Sequence, residues 1–273
     1  MKPRPFDYVR PDTAEEVLAV LAEYGDDARV LAGGQTLIAM LNLRLLEPAV
    51  LIDITRIGEL DAIREADGKI EVGAAVTQNK LMAWPALAEK LPLVAAALPY
   101  VGHFQTRNKG TVCGSIAHAD PAAELPLALA VLEGEVVLRS RRGTRISPAH
   151  EFQQGMLTTA RATDELITAV RFPVMRGNAA FREVARRHGD FAIVAVGAIA
   201  DDGQVRIGIA GMAERPAVLR METNDASAMT DSIERLAREI EGYDDLQASA
   251  RMRRDVLRRL APLVVQEAMR CAA

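Results

Sequence analysis

Two glycine-centred segments carry the residues best placed for chemistry: AGGQT at Ala32–Thr36 and TVCGS at Thr111–Ser115. Glycine permits φ > 0 and lets backbone N–H groups come close to phosphate oxygens. Thr36, Thr111 and Ser115 add hydroxyls beside those groups. One such segment is weak evidence of a site. Two of them, about 75 residues apart, suggest a diphosphate gripped from two sides, as in a dinucleotide. Read alone, AGGQT serves equally well as a strand-to-helix turn. It lacks both the G-x-G-x-x-G fingerprint and the Gly-Lys-Ser/Thr of a P-loop, so the common nucleotide folds are disfavoured. Glu124 lies nine residues beyond Ser115. Its carboxylate can accept from ribose hydroxyls or simply carry charge at a helix N-terminus.

Other reactive residue types fall short of a site. Cys113 lacks a base at any telling spacing, and a small buried filler is the better reading of it. Its only fellow is Cys271. A disulfide between them is not expected in a reducing compartment, and two lone thiols cannot build a zinc or iron–sulfur site within the chain. His103, His118, His150 and His188 share no metal-ligand spacing. The arginines of the last helix (Arg251, Arg253, Arg254, Arg258, Arg259) read as a solvated face. No catalytic residue and no metal ligand is assigned, and any redox metal belongs on another polypeptide.

The elements that must position the glycine segments follow from hydrophobic period. Thr13–Tyr24 has helical spacing, with Thr13 as N-cap, Glu16 at the capping-box position and Gly25 at the end. Ala28–Leu31 reads as a strand running into AGGQT, Thr36–Arg44 as a helix and Val50–Ile54 as a buried strand. That places AGGQT at a strand's C-terminal end, where ligands of α/β units bind. A hairpin turning at Asp67–Gly68 follows, then short helices from Thr77 and from Pro92 to Tyr100. Beyond the second glycine segment come an apolar helix (Pro121–Leu132), strands at Glu135–Arg139 and Arg145–Ser147 around an Arg142–Gly143 turn, and a strand at Glu165–Phe172. Residues 174–180 read as a joint. Phe181–Arg187, Ile193–Ala200 and Val205–Ala210 are then expected as three antiparallel strands, the last two joined at Asp202–Gly203. Two helices, Ser227–Glu241 and Leu246–Arg270, close the chain, the second with a bend at Pro262.

Bulk properties bound the function class. The 273 residues suit two or three compact units, and 49% hydrophobic with 26% charged residues suits a soluble protein with a sizeable core. A net charge of −4 argues against a general nucleic-acid binder. No apolar run approaches a membrane span, and MKPRPFDYVRP lacks a signal core, so a cytoplasmic location is expected.

Set together in chain order, AGGQT, Val101–Pro126 (VGHFQTRNKGTVCGSIAHADPAAELP), Glu165–Pro173 (ELITAVRFP) and Phe181–Val196 (FREVARRHGDFAIVAV) resemble the FAD-binding medium subunit of the molybdenum hydroxylases, the carbon monoxide dehydrogenase-like and xanthine dehydrogenase-like complexes. The resemblance spans essentially the whole chain. The second segment is highly specific; AGGQT alone would not be. It implies an α+β fold: a two-part FAD-binding domain of the vanillyl-alcohol-oxidase (PCMH) type over residues 1–175, divided near 57/58, and a C-terminal αβ domain over 178–273 with a three-stranded antiparallel sheet. It implies FAD contacts at Arg29, Val30, Leu31, Ala32, Gly33, Gly34, Gln35 and Thr36 in the first segment. Further contacts are implied at Val101, Thr111, Cys113, Gly114, Ser115, Glu124, Ile167 and Arg182, with Phe191 as a cover for the isoalloxazine face. A large molybdenum-cofactor subunit and a small subunit with two [2Fe–2S] clusters are the implied partners, assembled as (αβγ)2. The family's second loop carries two adjacent glycines, and Cys113 stands in place of the first. A stand-alone flavin oxidoreductase and a cofactor-free scaffold are the alternatives.

Overall fold

The computed structural model describes residues 2–175, 177–201, 203–222 and 226–270. The chain begins with β1 (Asp7–Val9), α1 (Ala14–Tyr24), β2 (Ala28–Leu31), α2 (Leu37–Asn42) and β3 (Val50–Asp53), the strands forming a parallel sheet in the order β1-β3-β2. Thr13 caps α1, its Oγ1 accepting from the Glu16 N–H. The Glu16 carboxylate reaches back to the N–H of Asp12, one residue earlier than a simple capping box predicts. Val17, Leu18 and Leu21 are buried on one helix face, and Gly25 ends the helix at φ +50°.

The next unit is a five-stranded antiparallel sheet of β4 (Ile63–Ala66), β5 (Lys69–Gly73), β6 (Glu135–Ser140), β7 (Gly143–Pro148) and a central β10 (Leu166–Pro173), in the order β4-β5-β10-β6-β7. Asp67 and Gly68, both at positive φ, make the expected tight turn between β4 and β5. Between β5 and β6 run α3 (Gln78–Met82), α4 (Leu87–Lys90), α5 (Pro92–Ala97), α6 (Phe104–Lys109), α7 (Val112–His118) and α8 (Glu124–Val131). Seven of the eight residues of α8 are buried, so it has no solvent face and lies enclosed between layers. A short α9 (Ala149–Phe152) and a ribbon of β8 (Gln153–Gly155) with β9 (Thr158–Thr159), absent from the sequence expectation, lead into β10.

The expected joint at 174–180 is shorter in the structure, because β11 (Asn178–Val184) begins inside it. The C-terminal sheet corrects the expectation of three strands. It has four: β11, β12 (Val194–Asp201), β13 (Gln204–Ala210) and β14 (Ala217–Glu222), in sequential antiparallel order. The missed strand, AVLRME, is an edge with mostly exposed or half-buried residues, so it lacks the apolar run that marks a buried strand. Asp202 of the expected β12–β13 turn lies outside the described residues, as does Cys271. Two helices, α10 (Ala226–Glu239) and α11 (Ala250–Arg270), cover one face of this sheet, and α11 continues through Pro262. The other face packs on the first two units: Phe181, Ala195 and Ile199 join their core, whereas Ala180, Val194 and Val196 join the core under α10 and α11. No described helix is long and apolar enough to cross a membrane.

Candidate functional site

A cleft of about 620 Å³ lies where the three units meet, within the size range of small-molecule sites. Its first wall is the turn after β2. Gly34 adopts φ +69°, and its carbonyl accepts from the Ile38 N–H at 3.0 Å, so the chain enters α2 directly from the glycines. Thr36 stands at the N-cap of α2 without a capping hydrogen bond from its side chain. Gln35 Nε2 donates to the Gly33 carbonyl at 3.2 Å, bracing the turn from within.

The second wall is built differently from a loop. Thr111–Ser115 is the N-cap and first turn of α7, with Thr111 Oγ1 accepting from the Gly114 N–H at 3.0 Å. A Cβ on Gly114 would sit 2.7 Å from that hydroxyl and dislodge the cap. Cys113 occupies a helical position with no need of positive φ, and its Sγ donates to the Val72 carbonyl of β5 at 3.4 Å. Burial pushes its thiol far above the ordinary range, which disqualifies it as a nucleophile. The two walls touch. A Cβ on Gly33 would lie 2.3 Å from the Lys109 carbonyl oxygen and 2.5 Å from the Gly110 Cα.

Acidic and cationic side chains complete the lining. Glu124, the first residue of α8, is buried, and burial raises its carboxyl to about 7 despite a hydrogen bond from its own backbone N–H; the charge of Asp120 adds to the rise. His118 is held below its usual value by burial. Arg161, half-buried near Arg29, has its guanidinium lowered first by desolvation and then by that neighbouring charge. Gln78 Oε1 is buried in the wall without a hydrogen-bond partner. At the C-terminal side Gly189, at φ +85°, packs against Gly102 and His103, and the neighbouring Phe191 stays half-exposed at the cleft.

Of the residues expected to contact a cofactor, Arg29, Val30, Ala32, Gly33, Gly34, Gln35, Thr36, Val101, Thr111, Cys113, Gly114, Ser115, Glu124, Ile167 and Phe191 line this one cleft. Leu31 and Arg182 do not. The pleat of β11 explains the second: Phe181 and Glu183 face the first two units, and Arg182 faces the opposite way, its guanidinium on Glu267 of α11 at 2.8 Å. Gln78, His118 and Arg161 line the cleft without having been singled out. Gln78 and Arg161 carry no motif, and only their place beside Gly110 and Arg29 brings them in.

The arrangement suits holding rather than reacting. Two glycine-containing turns offer close backbone approach, while Glu124 and the unpartnered Gln78 Oε1 offer acceptors to hydroxyls. Among the described residues no group of three His, Cys, Asp or Glu side chains could hold a metal ion. These features fit a long ligand with a diphosphate at its middle and sugar hydroxyls along it.

Residues 4–175 match the FAD binding domain in molybdopterin dehydrogenase. The chain belongs to this family. Among relatives of this FAD-binding chain, the alpha subunit of the 6-hydroxypseudooxynicotine dehydrogenase complex of Paenarthrobacter nicotinovorans is 42% identical over 71% of this chain and 66% of that protein. The glyceraldehyde dehydrogenase medium chain of Sulfolobus acidocaldarius is 32% identical over 98% of this chain and 99% of that one. In solved form, a chain of the carbon monoxide dehydrogenase of Hydrogenophaga pseudoflava superposes with a TM-score of 0.92 at 30% identity, covering all of both chains. The FAD-binding chain therefore shares the carbon monoxide dehydrogenase medium-chain architecture, including its C-terminal part.

Proposed function

We propose that this chain is the FAD-carrying electron-transfer subunit of a molybdenum-containing hydroxylase or dehydrogenase complex. Its first 175 residues act as a PCMH-type FAD-binding domain, divided near residue 57, and residues 178–273 as a C-terminal domain that closes over the flavin end. The observation that carries this reading is the seam between Gly33 and Gly110, which joins both glycine segments into one wall of the cleft.

Bound FAD supplies the chemistry: it accepts electrons one at a time and releases them singly or in pairs. The chain's own part is positioning. Backbone N–H groups at Ala32–Thr36 hold the diphosphate, assisted by the hydroxyls of Thr36 and Ser115, whereas at Thr111–Ser115 the N–H groups of Val112, Gly114 and Ser115 are already bonded to Val76 and Thr111. Glu124 accepts from the sugar hydroxyls, Arg29 and Ile167 border the cofactor, and Val101 and Phe191 flank the ring system and limit its contact with water. Substrate oxidation belongs to a partner with the molybdenum cofactor, and a second partner with two [2Fe–2S] clusters delivers the electrons. We place the assembly, as (αβγ)2, in the cytoplasm.

The test is purification of the chain alone and with the products of its neighbouring reading frames. The expected result is a yellow protein that releases FAD, not FMN, on denaturation, and that co-purifies with iron and molybdenum when its partners are present. A colourless chain that takes up no added FAD would overturn the proposal.

A further inference from the structure

One wall of the cleft runs from the glycine seam to Phe191 as a chain of contacts. Gly33 seats on Lys109 and Gly110. A Cβ on Gly110 would lie 3.0 Å from the Thr106 carbonyl oxygen and 3.1 Å from Gln78 Oε1, so the Gln78 carboxamide lies in the space that a side chain at 110 would need. A Cβ on Gly102 would meet the Thr106 methyl group at 3.0 Å, and one on Gly189 would meet the Gly102 carbonyl oxygen at 3.0 Å. Arg107 braces this stretch, donating to the carbonyls of Val101 and Gly102 at 2.9 Å each. Phe191 follows two residues after Gly189. Gln78 therefore stands partway along the wall, between the seam and the end that Phe191 borders.

Gln78 is only 5% exposed, yet it lines the cleft, and its Oε1 is buried with no hydrogen-bond donor among the described residues. The backbone fixes its place. Its N–H donates to the Gly110 carbonyl at 2.8 Å, and the Val112 N–H donates to the Val76 carbonyl at 3.1 Å, so the chain is stapled to the second glycine segment on both sides of Thr77. Neighbouring acceptors are engaged. The Thr106 carbonyl takes the Gly110 N–H at 2.7 Å, the Gly33 carbonyl takes Gln35 Nε2, and the Thr111 hydroxyl takes the Gly114 N–H. A buried amide oxygen left unpaired opposes stability, so one that lines a cleft points to a donor that arrives with the ligand.

We propose that Gln78 binds the ribityl chain of the flavin, its carboxamide pairing with a hydroxyl of that chain. This rests on the cleft holding FAD with its ring system at the Phe191 end. The diphosphate sits beside the seam, and its ionised oxygens have no proton to give to Oε1. The ring system lies further along, so the polyol between them is the part that passes Gln78. A hydroxyl both donates and accepts, and it therefore satisfies the carboxamide in either orientation. Gln78 thus favours a hydroxylated chain over a plain one, and the bound cofactor relieves the unpaired oxygen that the empty cleft carries.

The test titrates the flavin-free full chain with FAD and with an FAD analogue whose ribityl chain is replaced by an alkyl chain without hydroxyls, read by flavin fluorescence. Wild type is expected to bind FAD the more tightly. Gln78→Met keeps the size but not the amide, and should weaken FAD about tenfold while leaving the affinity for the alkyl analogue unchanged. Gln78→Glu keeps an acceptor oxygen and should keep the preference for FAD. The Tm of flavin-free Gln78→Met should not fall below that of wild type, because the unpaired oxygen is gone. An analogue lacking the hydroxyls of the adenosine ribose should lose the same affinity in wild type and Gln78→Met; a loss confined to wild type would put the ribose at Gln78 and overturn the assignment. Equal weakening of FAD and the alkyl analogue in Gln78→Met, FAD binding unchanged in it, or equal affinity of wild type for the two ligands would also overturn it and leave the proposed function standing. A wild-type chain that binds none of these flavins would overturn that function as well.

Discussion

Gly33 and Gly110 lie backbone to backbone, so close that a Cβ on Gly33 would overlap the Gly110 Cα at 2.5 Å. The obstructing atoms are main chain and cannot swing aside as a side-chain tip would. Gly33→Ala is therefore expected to part the two walls of the cleft and lower bound flavin at least several-fold, with the far-UV circular dichroism unchanged. Gly34→Ala acts through φ +69° instead and costs about 1–2 kcal/mol of backbone strain. The ratio of flavin to protein absorbance after gel filtration reads both variants, and a full flavin complement in Gly33→Ala would contradict the seam.

Cys113 is buried at the cleft wall with its Sγ donating to the Val72 carbonyl of β5. Cys113→Ala is expected to retain FAD and to lose about 1 kcal/mol of stability, the scale of one buried methylene. In the native protein this thiol should resist an aromatic disulfide reagent and react only on unfolding. Fast native labelling of a Cys271→Ser chain, in which Cys113 is the only thiol, would mean that Cys113 is exposed.

Glu165 predicts a loss of stability on the acid side. The Arg145 guanidinium donates to both its oxygens, at 2.6 and 2.7 Å, and the Ala162 N–H adds a third bond at 2.8 Å. These hold its carboxyl below the usual range in the folded protein. The stabilisation is then fully present above the ordinary carboxylate pKa and is lost as pH falls toward the folded value. Glu165→Gln should lower Tm at neutral pH and shrink its decline toward acid. An identical decline in wild type and variant would show that the pair contributes nothing.

Arg253 is 1% exposed and donates to the carbonyls of Ile193 and Gly211 at 2.6 and 2.7 Å and to Asp245 at 2.6 Å. Its guanidinium also lies 4.3 Å from the centre of the Tyr243 ring. Removing it orphans two buried carbonyls, while Asp245 keeps the N–H groups of Gln247 and Ala248, so Arg253→Ala should cost about 2–5 kcal/mol in urea unfolding. Because Ile193 lies two residues from Phe191, the variant is also expected to leave the flavin more open to iodide quenching.

Much of the cleft was legible in the sequence, for local reasons. AGGQT follows a short apolar strand, and a strand's C-terminal end is where such a turn meets a ligand; Thr13 and Thr77 cap the helices they were expected to cap. Arg182 and Glu183 show where this legibility ended. Adjacent in sequence, they are separated by a pleat into opposite layers, and only the packing of β11 decides which faces the first two units. The fourth C-terminal strand was hidden likewise, since an edge strand carries little apolar signal and its pairing to β13 is a long-range choice.

By itself the sequence determined the short-range parts: the glycines that allow close backbone approach, the caps, the hairpin turn at Asp67–Gly68 and the segments that resemble the FAD-binding family. Those depend on backbone freedom and on spacing within a few residues. The tertiary structure alone decided that Gly33 seats on Gly110, that TVCGS is a helix start, and that Gln78, His118 and Arg161 join the lining. These are contacts between residues far apart in the chain, set by how three units pack together, and no local pattern encodes which residues that packing brings face to face.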